Sequence, residues 1–251
     1  MSPDPFERWI ADLERRHLAE LSFPEVRKGL QALSSLYVER RDRIGTGAAF
    51  DGAGKRAAFA LFFGPLHFLV VREVVAGLGA ARPPLERVHD LGCGTGAAGA
   101  AWALAAGAAV HGVERSGWAA SEARETFSAL GIDGRVSAGE LLRERLPGAR
   151  AGILLGWAVN ELGDEGRSAL LPRLLESARR GARVLVVEPI AARPVPWWKP
   201  WASAFGDEGG RDDLWRFPAK LPPVVALLDK AAGLDHRVLT ARSLYLPGAR
   251  S

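Results

Sequence analysis

The sequence predicts an α/β protein in which a mostly parallel sheet follows a helical N-terminal extension. Three observations carry that prediction. Apolar residues recur at helical spacing through about residue 84. From residue 85 the rhythm changes, and short apolar runs alternate with helices of ten or more residues, the mark of βαβ units. The junction Val88-His89-Asp90-Leu91-Gly92-Cys93-Gly94-Thr95-Gly96 then reads as a strand, a glycine turn and a helix start. A length of 251 residues fits one large domain, or one domain with an extension. With 48% hydrophobic and 25% charged residues, wholesale disorder is excluded. The lone cysteine, Cys93, excludes an intramolecular disulfide and any cysteine-rich metal site. A net charge of +4 permits an anionic partner without demanding one.

Residues 5–21 form the first helix, with Phe6, Trp9, Ile10, Leu13 and Leu18 on one side. Ser22 and Pro24 mark a break and a new start. Val26, Leu30, Leu33 and Tyr37 carry a second helix to about Arg41. Residues 44–54 are a glycine-rich loop. Residues 55–78 are a third, strongly apolar helix, bent at Gly64-Pro65. We assign 1–84 to the extension and 85–251 to the sheet domain. Asp4 and Glu7 interrupt the N-terminus where a secretory signal needs an apolar stretch. The longest apolar runs, 57–71 and 96–110, fall short of the ~20 residues that span a bilayer. The expectation is a soluble, cytoplasmic protein. Strands are expected at 87–91, 109–113, 135–138, 151–159 and 182–189, with helices at 97–106, 118–130 and 167–180. A segment rich in proline and tryptophan follows at 190–222. A helix at 223–234 and two closing strands, 236–240 and 243–246, end the chain.

The glycine turn carries the chemistry. Glycines allow a tight turn and let backbone N–H groups approach a ligand, and the helix start favours an anionic group. Gly92, Gly94 and Ala97 also satisfy a dinucleotide-binding pattern. Asp90 discriminates: its charge repels a pyrophosphate and suits an ammonium. A ligand with both ammonium and carboxylate is an amino acid, or the methionyl end of S-adenosylmethionine.

On these residues the sequence resembles the class I S-adenosylmethionine-dependent methyltransferases, from about Leu85 to Leu246. The resemblance implies a Rossmann-like, seven-stranded, mostly parallel sheet with an antiparallel edge pair, and S-adenosylmethionine as cofactor. It implies that Asp90 meets the methionyl amino group and that Gly92, Cys93, Gly94 and Gly96 form the loop beside it. Glu114, followed by Arg115, ends the second strand where an acidic residue accepts the ribose hydroxyls. Gly139 or Glu140, followed by Leu141, falls where the family holds the adenine. The fourth strand leads into Trp157, Asn160 and Glu161, where methyl transfer takes place. The stretch Ala158-Val159-Asn160-Glu161-Leu162, with Glu188-Pro189 after the fifth strand, is similar to a subgroup associated with the small ribosomal subunit. That subgroup carries a downstream cysteine cluster, which this chain lacks.

The implied reaction places an N, O or C nucleophile in line with the methyl–sulfur bond, with a base where the nucleophile carries a proton. Glu161 and His67 are the candidate bases, with Tyr37 behind them, and Asn160 is a candidate to orient the acceptor or to cap a helix. His67 reads equally as a core histidine. Arg40, Arg41, Arg43, Lys55 and Arg56 form either a solvated face or an RNA contact. Trp197, Trp198 and Trp201 either stack on a substrate or anchor a lid. No metal motif is present in the spacing. The acceptor is RNA or ribosome-associated, or a small molecule. The alternative is a catalytically weak RNA-binding assembly factor that keeps the cofactor fold.

Overall fold

A computed structural model describes residues 4–39, 50–190 and 195–248, apart from the side chains of 36–39. Helices α1 (Pro5–His17), α2 (Phe23–Glu39), α3 (Ala53–Ala58) and α4 (Gly64–Leu78) precede the sheet. Strands β1 (Arg87–Leu91), β2 (Ala109–Glu114), β3 (Gly134–Ala138), β4 (Ala151–Gly156) and β5 (Arg183–Glu188) alternate with α5 (Ala97–Ala106), α6 (Gly117–Ala129) and α7 (Asp164–Arg179). Then come α8 (Trp198–Asp207), β6 (Arg211–Pro218), α9 (Pro223–Ala231) and β7 (Val238–Leu246). The seven strands lie in the order β3-β2-β1-β4-β5-β7-β6. Strands β1 to β5 are parallel, and β7 runs antiparallel to both β5 and β6. This is the expected Rossmann-like α/β sheet with an antiparallel edge pair.

Three expectations are corrected. The fourth strand stops at Gly156, because Trp157 turns into the left-handed region at φ 58° and a 3-10 turn, Val159–Glu161, follows. The two closing strands are one, β7. Its antiparallel neighbour β6 lies inside the segment read as proline- and tryptophan-rich connection, which also contains α8. Residues 53–78 form one continuous helical run, long and apolar enough by length alone to cross a bilayer, but 78% of its most apolar window is buried inside the protein.

That run continues through Gly64-Pro65, where Gly64 keeps helical angles at φ −53° and ψ −57°. Proline has no N–H to donate, so the helical ladder is interrupted there. The chain answers with a π segment, Phe59–Phe63, in which Gly64 N–H donates to Phe59 O. One apolar cluster joins Trp9 and Leu13 of α1, Leu30 of α2, the buried face of α4, and Val88, Leu154 and Leu185 of the sheet. On the opposite sheet face Leu91, Ile153, Val184 and Val186 pack with Leu170 and Leu174 of α7 and with Trp198, Trp201 and Phe205 of α8. A polar clamp ties α1 to α6. Arg16 donates to both oxygens of Glu122 (2.9 and 2.7 Å), and His17 Nε2 lies 3.1 Å from Oε1.

Candidate active site

The carboxyl ends of β1, β2 and β4 open into a cavity of about 650 Å³, the position where open α/β sheets bind ligands. Asp90, on the last turn of β1, is 1% exposed and lines it. Asp90 Oδ2 accepts from Gly99 N–H at 2.9 Å. Burial pushes this carboxyl up to about 7 against that hydrogen bond, and Glu114 adds to the rise. Gly99 has to be glycine, because a Cβ there would sit 2.5 Å from Asp90 Oδ2.

The glycine turn holds itself with its own amides. Gly92 and Cys93 N–H donate to Val113 O (2.9 and 3.1 Å), and Gly96 N–H donates to Cys93 O at 2.8 Å. Gly94 N–H donates to Glu114 Oε2 at 2.9 Å, while Ser116 N–H donates to Oε1 at 2.8 Å. The expectation that the turn amides face an anion is therefore corrected for these four: they stiffen the loop and fix the Glu114 carboxylate. Gly96 is corrected too. It does not line the cavity; with φ 77° it turns against Phe127 and Ala123, where a Cβ would clash at 2.7 Å. Burial raises the Cys93 thiol well above its ordinary range, so it stays protonated.

The remaining predicted cofactor-side residues line the cavity: Gly92, Cys93, Gly94, Glu114, Arg115, Gly139, Glu140, Leu141 and Trp157. Strand β3 ends at Ala138 opposite Glu114, so Gly139 is the first residue beyond it, and its N–H donates to Glu114 O at 3.1 Å. The exposed Glu140 carboxylate pairs with Arg143 at 3.4 Å.

All three candidate catalytic residues, His67, Asn160 and Glu161, also line the cavity. The His67 ring stacks on Trp157 with centroids 3.7 Å apart and planes 12° from parallel. Burial pushes His67 down to about 3, so the imidazole is neutral. Glu161 lies 3.7 Å from Arg115 and is 38% exposed. Desolvation at the cavity wall raises its carboxyl, against the pull of Arg115. Asn160 is corrected as an acceptor-orienting group. Its Nδ2 donates to Glu188 Oε2 at 2.6 Å, and its Oδ1 accepts from Trp197 Nε1 at 3.0 Å. Both ends of the amide are occupied, so Asn160 ties the β4 turn to β5 and α8. Burial pushes Glu188 up to about 8, against the Asn160 amide and the Arg242 charge.

Trp197, Trp198 and Trp201 are buried and pack on one another, with ring centroids 5.3 and 5.2 Å apart, so they anchor α8 instead of offering a stacking surface. Tyr37, Arg40, Arg41 and Arg43 fall outside what is described. Lys55 and Arg56 sit on α3, and Arg56 donates to Phe50 O at 2.8 Å.

Sequence reasoning missed the aromatic wall beside the glycine turn. Phe59, Phe63 and His67 follow one another four residues apart, a helical-face signal across the π segment, and all three line the cavity with Leu66 and Val70. It also missed His236, whose ring Nδ1 faces Asp229 Oδ1, while its backbone N–H donates to Asp229 Oδ2 at 3.0 Å. A helix residue and a loop residue seven apart carry no pattern that announces such a pair.

No family model and no curated protein matches the sequence. Among solved structures, the mitomycin 7-O-methyltransferase MmcR matches with a TM-score of 0.52 at 17% identity, over 99% of this chain and 74% of its own. Magnesium protoporphyrin IX methyltransferase from Synechocystis PCC 6803, solved with S-adenosylmethionine, has a TM-score of 0.49 at 18% identity, over 85% of this chain and 93% of its own. A methyltransferase from Geobacter sulfurreducens, in complex with S-adenosylhomocysteine, has a TM-score of 0.47 at 17% identity, over 70% and 91%. With the sheet order and the glycine turn after β1, the full-length likeness to MmcR gives the conclusion: this chain has the fold of the class I S-adenosylmethionine-dependent methyltransferases.

Proposed function

We propose that the protein is an S-adenosylmethionine-dependent methyltransferase whose acceptor is a small molecule with an apolar body. The observation that carries this reading is a cavity lined by two chemically different sets of residues. Two carboxylates fixed by backbone amides, Asp90 and Glu114, share it with an aromatic and aliphatic wall of Phe59, Phe63, Leu66 and Val70.

The two carboxylates suit the cofactor. Asp90 is desolvated and poised near neutrality, and an ammonium group beside it would hold it ionised. Glu114 keeps lone pairs for vicinal hydroxyls beyond those used by Gly94 and Ser116. Gly139 and Leu141 offer backbone and apolar contact to a purine. When bound, S-adenosylmethionine supplies an electrophilic methyl group on a sulfonium. The chain then has to orient the acceptor, exclude water and take up a proton. The apolar wall supports the first two tasks. For the third, the His236–Asp229 pair is better arranged than His67, whose ring face is occupied by Trp157. With Nδ1 turned to Asp229, the ring keeps Nε2 as the proton acceptor. Glu161 at the cavity rim is the second candidate base. A small acceptor is favoured over RNA because the tryptophans that suggested base stacking are buried in the core.

The test is calorimetric titration of the nuclease-treated protein with S-adenosylhomocysteine. Saturable one-site binding is expected, weakened at least tenfold in Asp90→Ala and little changed in His236→Gln, the residue assigned to the acceptor. Absence of binding by the folded wild-type chain would overturn the cofactor assignment. Equal weakening by the two variants would overturn the assignment of His236 to the acceptor.

A further inference from the structure

On the sheet face opposite α5, and independent of the cavity, three metal-ligating side chains distant in sequence come together. His89 of β1 and His111 of β2 are register partners in the parallel ladder, so their side chains stand side by side, with ring centroids 5.3 Å apart. Glu144 reaches them from the connection after the 3-10 turn Leu141–Arg143. One donor atom from each of the three lies within 4.8 Å of the other two.

The hydrogen bonding points to a missing cation. His111 has a side chain only 7% exposed, and its Nε2 lies 2.9 Å from Ser137 Oγ, the ring donating in the tautomer that ligates through Nδ1. That bond leaves Nδ1 with a bare lone pair, and Nδ1 is buried without a hydrogen-bond partner. It faces Glu144 Oε1 across 3.9 Å, too far for a hydrogen bond. His89 Nδ1 is likewise buried and without a partner. Two orphaned imidazole nitrogens, one of them facing the Glu144 carboxylate, leave unmade bonds that a dication would satisfy. Burial and the positive charges of Arg87 and Arg135 keep both imidazoles neutral, the form that ligates.

We infer that His89, His111 and Glu144 bind one divalent transition-metal ion of the zinc class. Two nitrogens and one carboxylate oxygen suit zinc, cobalt(II) or iron(II), not magnesium or calcium. Tetrahedral zinc at about 2.0–2.1 Å from nitrogen sets its donors about 3.3 Å apart. The strands fix the histidines, so Glu144, on a connection, has to close the gap. A water would complete the shell, because Glu144 is a quarter exposed. Arg87 and Arg135 oppose a dication, which argues for micromolar affinity and not for the tight hold of a structural zinc finger.

The experiment uses chelator-treated full-length protein without a polyhistidine tag. Zinc chloride is titrated in competition with a chromophoric chelator, and cobalt(II) is added separately to read its visible absorption. We expect one equivalent of zinc at micromolar affinity and a cobalt spectrum of four-coordinate intensity. Glu144→Gln should weaken zinc at least tenfold with an unchanged circular dichroism spectrum, and His89→Gln should abolish the cobalt bands. If His89→Gln does not fold, the loop variant Glu144→Gln decides alone. Failure of the wild-type chain to bind zinc below about 100 μM would overturn the site. So would one-equivalent binding that Glu144→Gln leaves unchanged, since the ion would then sit elsewhere.

Discussion

At the scale of single residues, the cavity depends on backbone passing very close to carboxylates. Asp90 and Gly99 make the point. The carboxylate reaches the α5 amide only because residue 99 has no Cβ. In Gly99→Ala the new methyl would meet Asp90 Oδ2 at 2.5 Å and the buried Asp90 Cβ at 2.8 Å, not a flexible chain end. We expect a loss of about 1–3 kcal/mol in denaturant unfolding, with S-adenosylhomocysteine affinity falling by at least tenfold because Asp90 has to turn. Stability and affinity both at wild-type levels would contradict the close approach. Asp90, Gly92, Gly94 and Glu114 were legible in the sequence because the turn is local and its chemistry is written in neighbouring residues. Asn160 was misread because its partners, Glu188 and Trp197, lie 28 and 37 residues away. No local pattern distinguishes an amide with both ends occupied from one that faces a substrate.

At the scale of elements, most of the sheet was legible because buried parallel strands are continuous apolar runs between glycine-rich turns. Strand β6 escaped for the opposite reason. Its residues alternate between exposed and half-buried, Leu214 is largely exposed, and prolines and tryptophans crowd its sequence surroundings. It pairs only with β7, so it needs one good ladder and little apolar cover. Arg211, Asp212 and Asp213 at its start, and Pro218 at its end, discourage further pairing on the open side. The attachment of α1 to α6 was not legible at all, since it rests on ions 106 residues apart. Arg16 and His17 hold Glu122, which is 5% exposed. Against burial, which raises it, their hydrogen bonds pull Glu122 down to about 2. Arg16→Ala would leave a buried carboxylate with His17 as its remaining partner. The expected cost is about 3 kcal/mol in urea unfolding at pH 7. A change below about 0.5 kcal/mol would show that the clamp behaves as an exposed ion pair.

At the scale of the whole molecule, the fold concentrates its buried ionisable groups at strand ends and on the two sheet faces, and these groups pull stability in opposite directions with pH. Glu188 and Asp90 are raised, to about 8 and about 7 from ordinary values of 4.5 and 3.8. Over those intervals the folded chain holds protons that the unfolded chain has released, so stability falls as pH rises. His67 and His89 are lowered, to about 3 and about 4 from 6.5. Their contribution is complete above pH 6.5 and is lost as pH falls toward those values. Glu122, lowered to about 2 from 4.5, adds stability above pH 4.5 that is lost as pH falls further. Between pH 8 and 6.5 the raised carboxyls Glu188, Asp90 and Glu161 (about 7) take up protons in the folded chain, so acidification stabilises. Below 6.5 the lowered histidines His67, His89 and His111 offset that gain, and below 4.5 Glu122 adds a further loss. The thermal midpoint of the ligand-free protein should therefore rise as pH falls from 8 to 6.5, level off between 6.5 and 4.5, and fall below 4.5. A scan of midpoint against pH from 4 to 9 reads this directly. A midpoint that climbs steadily to pH 9 would mean that Asp90 and Glu188 are ionised in the folded chain. In Glu188→Gln, the decline above pH 6.5 should shrink and the loss on acidification should begin nearer pH 6.5, because one carboxyl that offsets the histidines is gone.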